Sequence, residues 1–72
     1  MRRPRYTLKT LRKGLEVLET LADDRDEQTL TALAERLRES QPVIFRILRT
    51  LEERGYVEQD AASKRWRPGF RA

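Results

Sequence analysis

Two amphipathic helical patterns in the middle of the chain are joined by a very short polar link, and this link restricts the fold more than any other feature. The first pattern predicts a helix over residues 30–38, with Thr29 as its N-cap. The second predicts a helix over residues 41–54, because Ser40 is a good N-cap and Pro42 suits a first helical turn, where its missing N–H is not needed. Two helices joined so closely predict a helix-turn-helix arrangement.

Leucines recur at steps of three and four in the N-terminal third of the chain, which predicts an amphipathic helix over residues 8–22. The stripe consists of Leu8, Leu11, Leu15, Leu18 and Leu21. Thr7 is the predicted N-cap. Gly14 is unusual inside a helix, where glycine costs roughly 1 kcal/mol relative to alanine. We interpret it as a sign that another backbone approaches closely, and the alternative is that the cost is simply tolerated. The acidic stretch at 23–27 is predicted to be a loop, with a short strand near 27–29.

The sequence pattern changes after Gly55, a typical C-terminal glycine of a helix. Residues 56–59 and 65–67 favour β-structure, and residues 60–64 between them favour a turn. Alternation along the second strand predicts that Trp66 faces the core. We therefore predict a mainly α fold with a small β-hairpin, in which three helices are followed by a two-stranded wing.

The composition excludes several classes of function. The 72 residues allow one domain with one small core. The chain has no cysteine and no histidine, which excludes disulfides and thiolate metal sites and removes the commonest general base. We therefore predict no enzymatic activity, no metal and no cofactor. No apolar run reaches membrane-spanning length and the basic N-terminus is not followed by a signal-peptide pattern, so we expect a cytoplasmic protein.

Positive charge lies at both ends of the chain, around an acidic middle. Residues 1–13 contain six basic and no acidic side chains, residues 14–60 contain all 12 acidic side chains and six arginines, and residues 61–72 contain four basic side chains. The net charge is +4. This asymmetry suits a polyanionic partner, although two solvent-exposed basic tails would give the same pattern.

Four stretches of the sequence are similar to one known family. They are LEVLETL at 15–21, LTALAERL at 30–37, LRTLEERGYVEQD at 48–60 and WRPG at 66–69. Residues 8–69 as a whole resemble the N-terminal domain of the isocitrate lyase regulator (IclR) family, which usually has Tyr-Arg-Leu-Gly in place of the last stretch. The chain departs from the family at 38–44, where RESQPVI replaces the usual Gly-Leu-Pro-Lys-Ser-Thr-Val.

The resemblance implies a winged helix-turn-helix domain that binds a double-stranded DNA operator as part of a bacterial transcription regulator. It also implies a homodimer formed through the first helix, with Gly14 near the contact. The domain would cover residues 8–69, after a basic arm at 1–7. Residues 70–72 would begin a linker to an effector domain that this chain lacks, so a small-molecule effector would act only through that absent C-terminal domain.

The candidate DNA-binding side chains lie at the start of the third helix and on the hairpin, because the N-terminal part of the second helix of such a pair meets base edges. Gln41 is expected to pair with adenine, Val43 to touch a thymine methyl and Arg46 to reach a guanine or a phosphate. The full set is Gln41, Val43, Arg46, Arg49, Lys64, Arg65 and Arg67. The cations on the hairpin are expected on phosphates or in the minor groove. Phe45 fits either packing under the second helix or exposure toward DNA.

Two other functions are compatible with the sequence. A winged-helix module for protein–protein contact or dimerisation, without DNA, is favoured by the acidic pair Glu52 and Glu53 on the third helix. In that case Gln41 would be a solvated residue of the first helical turn, and Arg46 would be a surface arginine in ion pairs. Binding of RNA through the wing and the basic arm is the third alternative.

Overall fold

The computed structural model describes residues 7–23 and 27–71. Its elements are α1 (Lys9–Asp23), α2 (Leu30–Leu37), α3 (Gln41–Glu53), β1 (Val57–Gln59) and β2 (Trp66–Pro68). The predicted mainly α fold with three helices and a two-stranded hairpin is therefore confirmed. The predicted basic arm up to residue 6 and the acidic loop at 24–26 lie outside the described residues. None of the described helices is both long enough and apolar enough to span a membrane.

Side-chain caps fix the starts of α2 and α3. Thr29 Oγ1 accepts a hydrogen bond from the Ala32 N–H at 3.1 Å, and Ser40 Oγ accepts one from the Val43 N–H at 3.4 Å. Each bond satisfies a backbone donor that has no partner within its helix, and both predicted caps are confirmed. Between the helices, Arg38 adopts the left-handed conformation with φ of 53°, which more often carries glycine.

The start of α1 differs from the prediction. The helix begins at Lys9, so Leu8 is the residue that flanks it, and the Leu8 carbonyl accepts from the Arg12 N–H at 2.9 Å. Thr7 is therefore one residue too early to act as the N-cap. Its hydroxyl accepts a hydrogen bond from Arg12 Nη2 at 2.6 Å instead, and the predicted cap is wrong.

The hairpin after α3 is antiparallel, with Glu58 directly opposite Arg67. Gln28 forms an isolated bridge with Trp66 through two backbone hydrogen bonds of 2.7 and 2.9 Å. This bridge lies inside the segment 27–29, where a short strand was expected. It ties the chain before α2 to the second strand of the hairpin.

The core forms where the three helices meet the hairpin. Its largest fully buried side chains are Trp66, Leu21, Leu33, Ile44, Leu48, Val17 and Val57. The burial of Trp66 confirms the prediction that it faces inward. The N-terminal half of the α1 stripe takes no part in this core: Leu8, Leu11 and Leu15 are 74%, 59% and 48% exposed.

The interpretation of Gly14 as a point of close backbone approach is wrong for the described chain. A Cβ built on Gly14 would meet only Ile47 Cγ2, at 3.9 Å, among the atoms of the described residues. That distance is ordinary van der Waals contact, so alanine would fit. The folded chain alone does not explain why a glycine stands there.

Two glycines join α3 to the hairpin. Gly55 follows α3 with φ of 85°, a conformation that favours glycine, as expected for its place at the helix end. Gly69 lies against it, so that a Cβ on Gly69 would meet the carbonyl oxygen of Gly55. The Gly69 N–H also donates to the Tyr56 carbonyl at 2.9 Å. This close approach of two backbone segments sets the position of the hairpin relative to α3.

Candidate nucleic-acid interface

The side of α3 that faces away from the core carries most of the candidate residues on this helix. Ile44, Ile47 and Leu48 face the core. We call five of the exposed residues on the other sides, those in the first two and a half turns, the outer face of α3. They are Gln41, Pro42, Phe45, Arg46 and Arg49. Val43 is only partly exposed and packs against the core, so of the predicted contacts on α3 it is the least accessible.

Phe45 is exposed on the outer face. Its side chain is 40% exposed, which answers the question that the sequence left open between burial and exposure. Pro42 lies three residues before Phe45, and Arg46 lies one residue after it. Pro42 and Arg46 are four residues apart, so both belong to the same surface of the helix. In the sequence, the helical spacing of residues 42, 45, 46 and 49 indicates that they share this surface.

The two polar candidates beside Phe45 already have partners within the chain. Gln41 Nε2 donates to Thr31 Oγ1 at 3.3 Å. Arg49 Nη1 is 2.7 Å from Glu52 Oε1, and its guanidinium carbon lies 5.0 Å from the centroid of the Phe45 ring. The Arg49 guanidinium is thus held between a carboxylate and an aromatic ring.

Arg46 differs from Gln41 and Arg49 in its contacts. Its side chain is exposed and makes no hydrogen bond or ion pair with residues 7–23 or 27–71. Its carbonyl accepts a bond from the Thr50 hydroxyl at 2.8 Å, which leaves the guanidinium uninvolved. Of the predicted cations on α3, Arg46 is the one whose charge is available to a ligand.

The turn of the hairpin is organised by Asp60. Its Oδ2 accepts from the N–H groups of Ser63 at 2.7 Å and Ala62 at 3.1 Å. These bonds, the one to Ser63 first, hold the pKa of the Asp60 carboxyl below its usual value. Lys64 and Arg65 follow, both exposed, and Arg65 Nη1 donates to the Glu27 carbonyl at 3.4 Å.

Arg67 is surrounded by carboxylates. Its Nη1 lies 2.8 Å from Glu27 Oε2, its Nε lies 2.8 Å from Glu58 Oε1, and Asp60 Oδ1 is 3.6 Å from Nη1. Hydrogen bonds to Glu27 and then Glu58 raise the pKa of the Arg67 guanidinium above its already high usual value. The predicted DNA contact of Arg67 stays a prediction, but a phosphate would have to compete with these acids.

A second, apolar surface lies between α1 and α3. The exposed leucines at 8, 11 and 15 border a groove of about 550 Å³, whose floor includes Ile47 and Leu51. Gly14 also lines the groove. The exposed leucines and Gly14 thus share one surface, on the helix for which the family resemblance implies a dimer contact.

Comparison with known families supports the interpretation of this geometry. The model of the IclR helix-turn-helix domain matches residues 10–61, most of the chain. No curated protein matches the chain.

Several solved structures share the fold. An IclR transcriptional regulator from Alicyclobacillus acidocaldarius aligns over 89% of this chain with 33% identity and a TM-score of 0.82. The IclR of Thermotoga maritima aligns over 90% with 26% identity and a TM-score of 0.82. The chain spans about a quarter of the length of these proteins, 26% in each case.

One further solved structure, from a protein outside this family, supports only a shared fold. ORF112-Zalpha of Cyprinid Herpesvirus 3, whose structure describes its binding mode to Z-DNA, aligns over 81% of this chain and 93% of its own length. The identity is 19% and the TM-score 0.73.

Proposed function

The chain belongs to the IclR helix-turn-helix domain family, and from that premise we propose that it reads double-stranded DNA as the DNA-binding domain of a bacterial transcription regulator acting in the cytoplasm. The family consists of DNA-binding domains of regulators and not of enzymes, in agreement with the prediction from composition. The regulation exerted by a full-length protein, including any effector, belongs to the same proposal, because the chain spans about a quarter of the regulators that it matches.

The observation that carries the proposal is the guanidinium of Arg46, which is exposed on the outer face of α3 and has no partner among the residues that the structure describes. The major groove admits an α-helix, and the second helix of a helix-turn-helix pair presents its N-terminal residues to base edges. We therefore place α3 in the major groove with Gln41 and Arg46 toward the bases. The Gln41 amide, bonded to Thr31 at 3.3 Å, keeps its oxygen as an acceptor.

The wing adds DNA contacts beside those of α3. Lys64 and Arg65 are exposed at the end of the turn, and we assign them to phosphates or to the minor groove. Arg67 and Arg49 are held by carboxylates within the chain, so we give them the weaker share of DNA contact. Phosphate contacts of this kind position a domain without selecting a sequence.

We also propose that two copies bind together through α1. The leucines at 8, 11 and 15 are exposed on one side of this helix, and Gly14 lies beside them with room that the folded chain does not use. A two-fold dimer would cover these apolar side chains and match two half-sites of a palindrome. The same exposed leucines favour the second candidate function, a protein-interaction module that does not bind DNA.

A binding selection on randomised duplexes at low salt tests the proposal and separates the two functions. The wild-type chain should enrich a two-fold motif. Gln41→Ala should relax the preference at one position of each half-site, and Arg46→Ala should weaken binding by about five- to 150-fold, since a guanidinium contact to a base contributes about 1–3 kcal/mol. Arg54→Ala removes the same charge outside the outer face and should bind like wild type. If the wild-type chain enriches no motif and binds no duplex, the protein-interaction function is the better one.

A further inference from the structure

We propose that the outer face of α3 recognises C5-methyl groups of pyrimidines, chiefly thymine, and that Phe45 is the residue that determines this specificity. This inference rests on the proposed function, because it requires α3 to lie in the major groove. It names the chemistry that the outer face can offer to base edges.

Most of the polar chemistry of the outer face is already used inside the chain. The Gln41 amide nitrogen donates to the Thr31 hydroxyl at 3.3 Å. The Arg49 guanidinium lies 2.7 Å from the Glu52 carboxylate. Breaking either contact to reach a base would cost part of the energy that the new contact supplies.

The surface left between these groups is apolar. Pro42 is exposed and its side chain has no hydrogen-bonding group. Phe45, one helical turn further on, exposes 40% of its surface, and Arg46 adds the available charge. The middle of the outer face therefore offers two apolar groups and one guanidinium.

Phe45 is also held in place. The Arg49 guanidinium carbon lies 5.0 Å from the centre of the ring, and Glu52 fixes that guanidinium at 2.7 Å. The ring thus has one side against the Arg49 guanidinium and another side open to solvent. Preorganisation of this kind favours a defined contact over a loose one.

In the major groove, the apolar group that base edges present is the C5-methyl of thymine, and phenylalanine is among the side chains that contact it. Cytosine has hydrogen at the same position. A face built from Pro42 and Phe45 therefore matches thymine, while Arg46 can take a neighbouring guanine or phosphate.

Replacing thymine by deoxyuridine tests this directly, because the change removes only the methyl group and leaves the hydrogen-bonding edge unchanged. The probe is the duplex obtained from the selection, with each thymine of one half-site exchanged in turn. We expect one or two positions at which uridine weakens binding by about fourfold, the value of one buried methyl-sized group.

The same scan with Phe45→Ala and Phe45→Leu assigns the effect. Phe45→Ala should bind thymine and uridine duplexes alike, and Phe45→Leu should retain part of the difference because it keeps an apolar side chain. Phe70→Ala is the matched control, since Phe70 is 82% exposed and lies beside Gly55; it should keep the full thymine preference.

Three results would overturn the inference. If wild type binds its duplex and uridine has no effect at any position, methyl recognition is wrong while DNA binding stands. If Phe45→Ala keeps the full thymine preference, another residue reads the methyl group. If the wild-type chain binds no duplex at all, the proposed function fails and this inference fails with it.

Discussion

The outer face of α3 and the wing each carry an arginine that is predicted to meet DNA, Arg46 and Arg67, and the fold surrounds these two side chains in opposite ways. Arg46 on α3 has no hydrogen-bonding or ionic partner among residues 7–23 and 27–71. Arg67 on the wing is in contact with three carboxylates within 3.6 Å. The availability of a charge, more than the number of charges, therefore decides which surface can bind a polyanion.

The physical origin of the difference is the geometry of the two elements. On the hairpin, the register places Glu58 directly opposite Arg67, where side chains of opposite charge meet. On the outer face of α3, Arg46 has Pro42 one turn before it and Thr50 one turn after it, and neither carries a charge. A phosphate that approaches Arg46 therefore meets no competing carboxylate one turn away on the helix.

The largest expected effect comes from breaking the junction that holds the two regions together. Gly69→Ala should lower the free energy of unfolding by roughly 2 kcal/mol or more, because its Cβ would collide with the Gly55 backbone. Gly14→Ala is the matched control and should raise it by about 1 kcal/mol, since a Cβ there meets only ordinary contact. Urea unfolding measures both, and equal changes of the same sign would contradict the packing described.

The next effect concerns the cations of the wing that have no carboxylate partner among residues 7–23 and 27–71. The double variant Lys64→Ala with Arg65→Ala should weaken binding to all duplexes alike. It should also flatten the slope of log affinity against log salt by about 1.8, since each neutralised phosphate contributes about 0.9. Titrations at several salt concentrations give the slope. An unchanged slope would place the wing off the DNA.

The smallest expected effect is a change in stability on replacing Arg38, in the turn before α3. Arg38 has φ of 53°, which is strained for a residue with a Cβ. Arg38→Gly should stabilise the fold by about 0.5 kcal/mol, because the relief of strain exceeds the greater flexibility of glycine in the unfolded chain. Arg38→Ala keeps the strain and serves as the control for loss of the side chain. Thermal unfolding of both variants decides the point, and equal stability of the two would refute the assignment of strain.

The features predicted correctly from the sequence are those that local signals determine. Thr29 and Ser40 cap their helices through bonds that span three residues, and Gly55 ends α3 at a conformation that glycine favours. Trp66 is buried because alternation along a short strand separates the two faces. Such signals act within a few residues and are visible in the sequence itself.

The features that the sequence did not reveal depend on contacts between distant segments. Arg67 pairs with Glu27 across 40 positions of the chain, and nothing near Arg67 indicates that partner. The exposure of Leu8 and Leu11 depends on where α3 ends relative to α1, which periodicity does not give. Gly14 was misinterpreted for the same reason, since only the packed structure shows the space around it.

We expect Arg46 to contribute more to DNA binding than Arg67, whose guanidinium lies against three carboxylates, and a matched pair of neutralisations tests this difference. Arg46→Met removes the available guanidinium. Arg67→Met combined with Glu58→Gln removes the cross-strand pair of the wing without changing the net charge. Both are measured by titration of the selected duplex over a range of salt concentrations.

We expect Arg46→Met to weaken binding by about five- to 150-fold, the value of one guanidinium contact of about 1–3 kcal/mol. The double variant of the wing should keep both the affinity and the salt slope of wild type. The account is contradicted if the double variant flattens the slope by about 0.9, the value of one lost phosphate contact, while Arg46→Met binds like wild type.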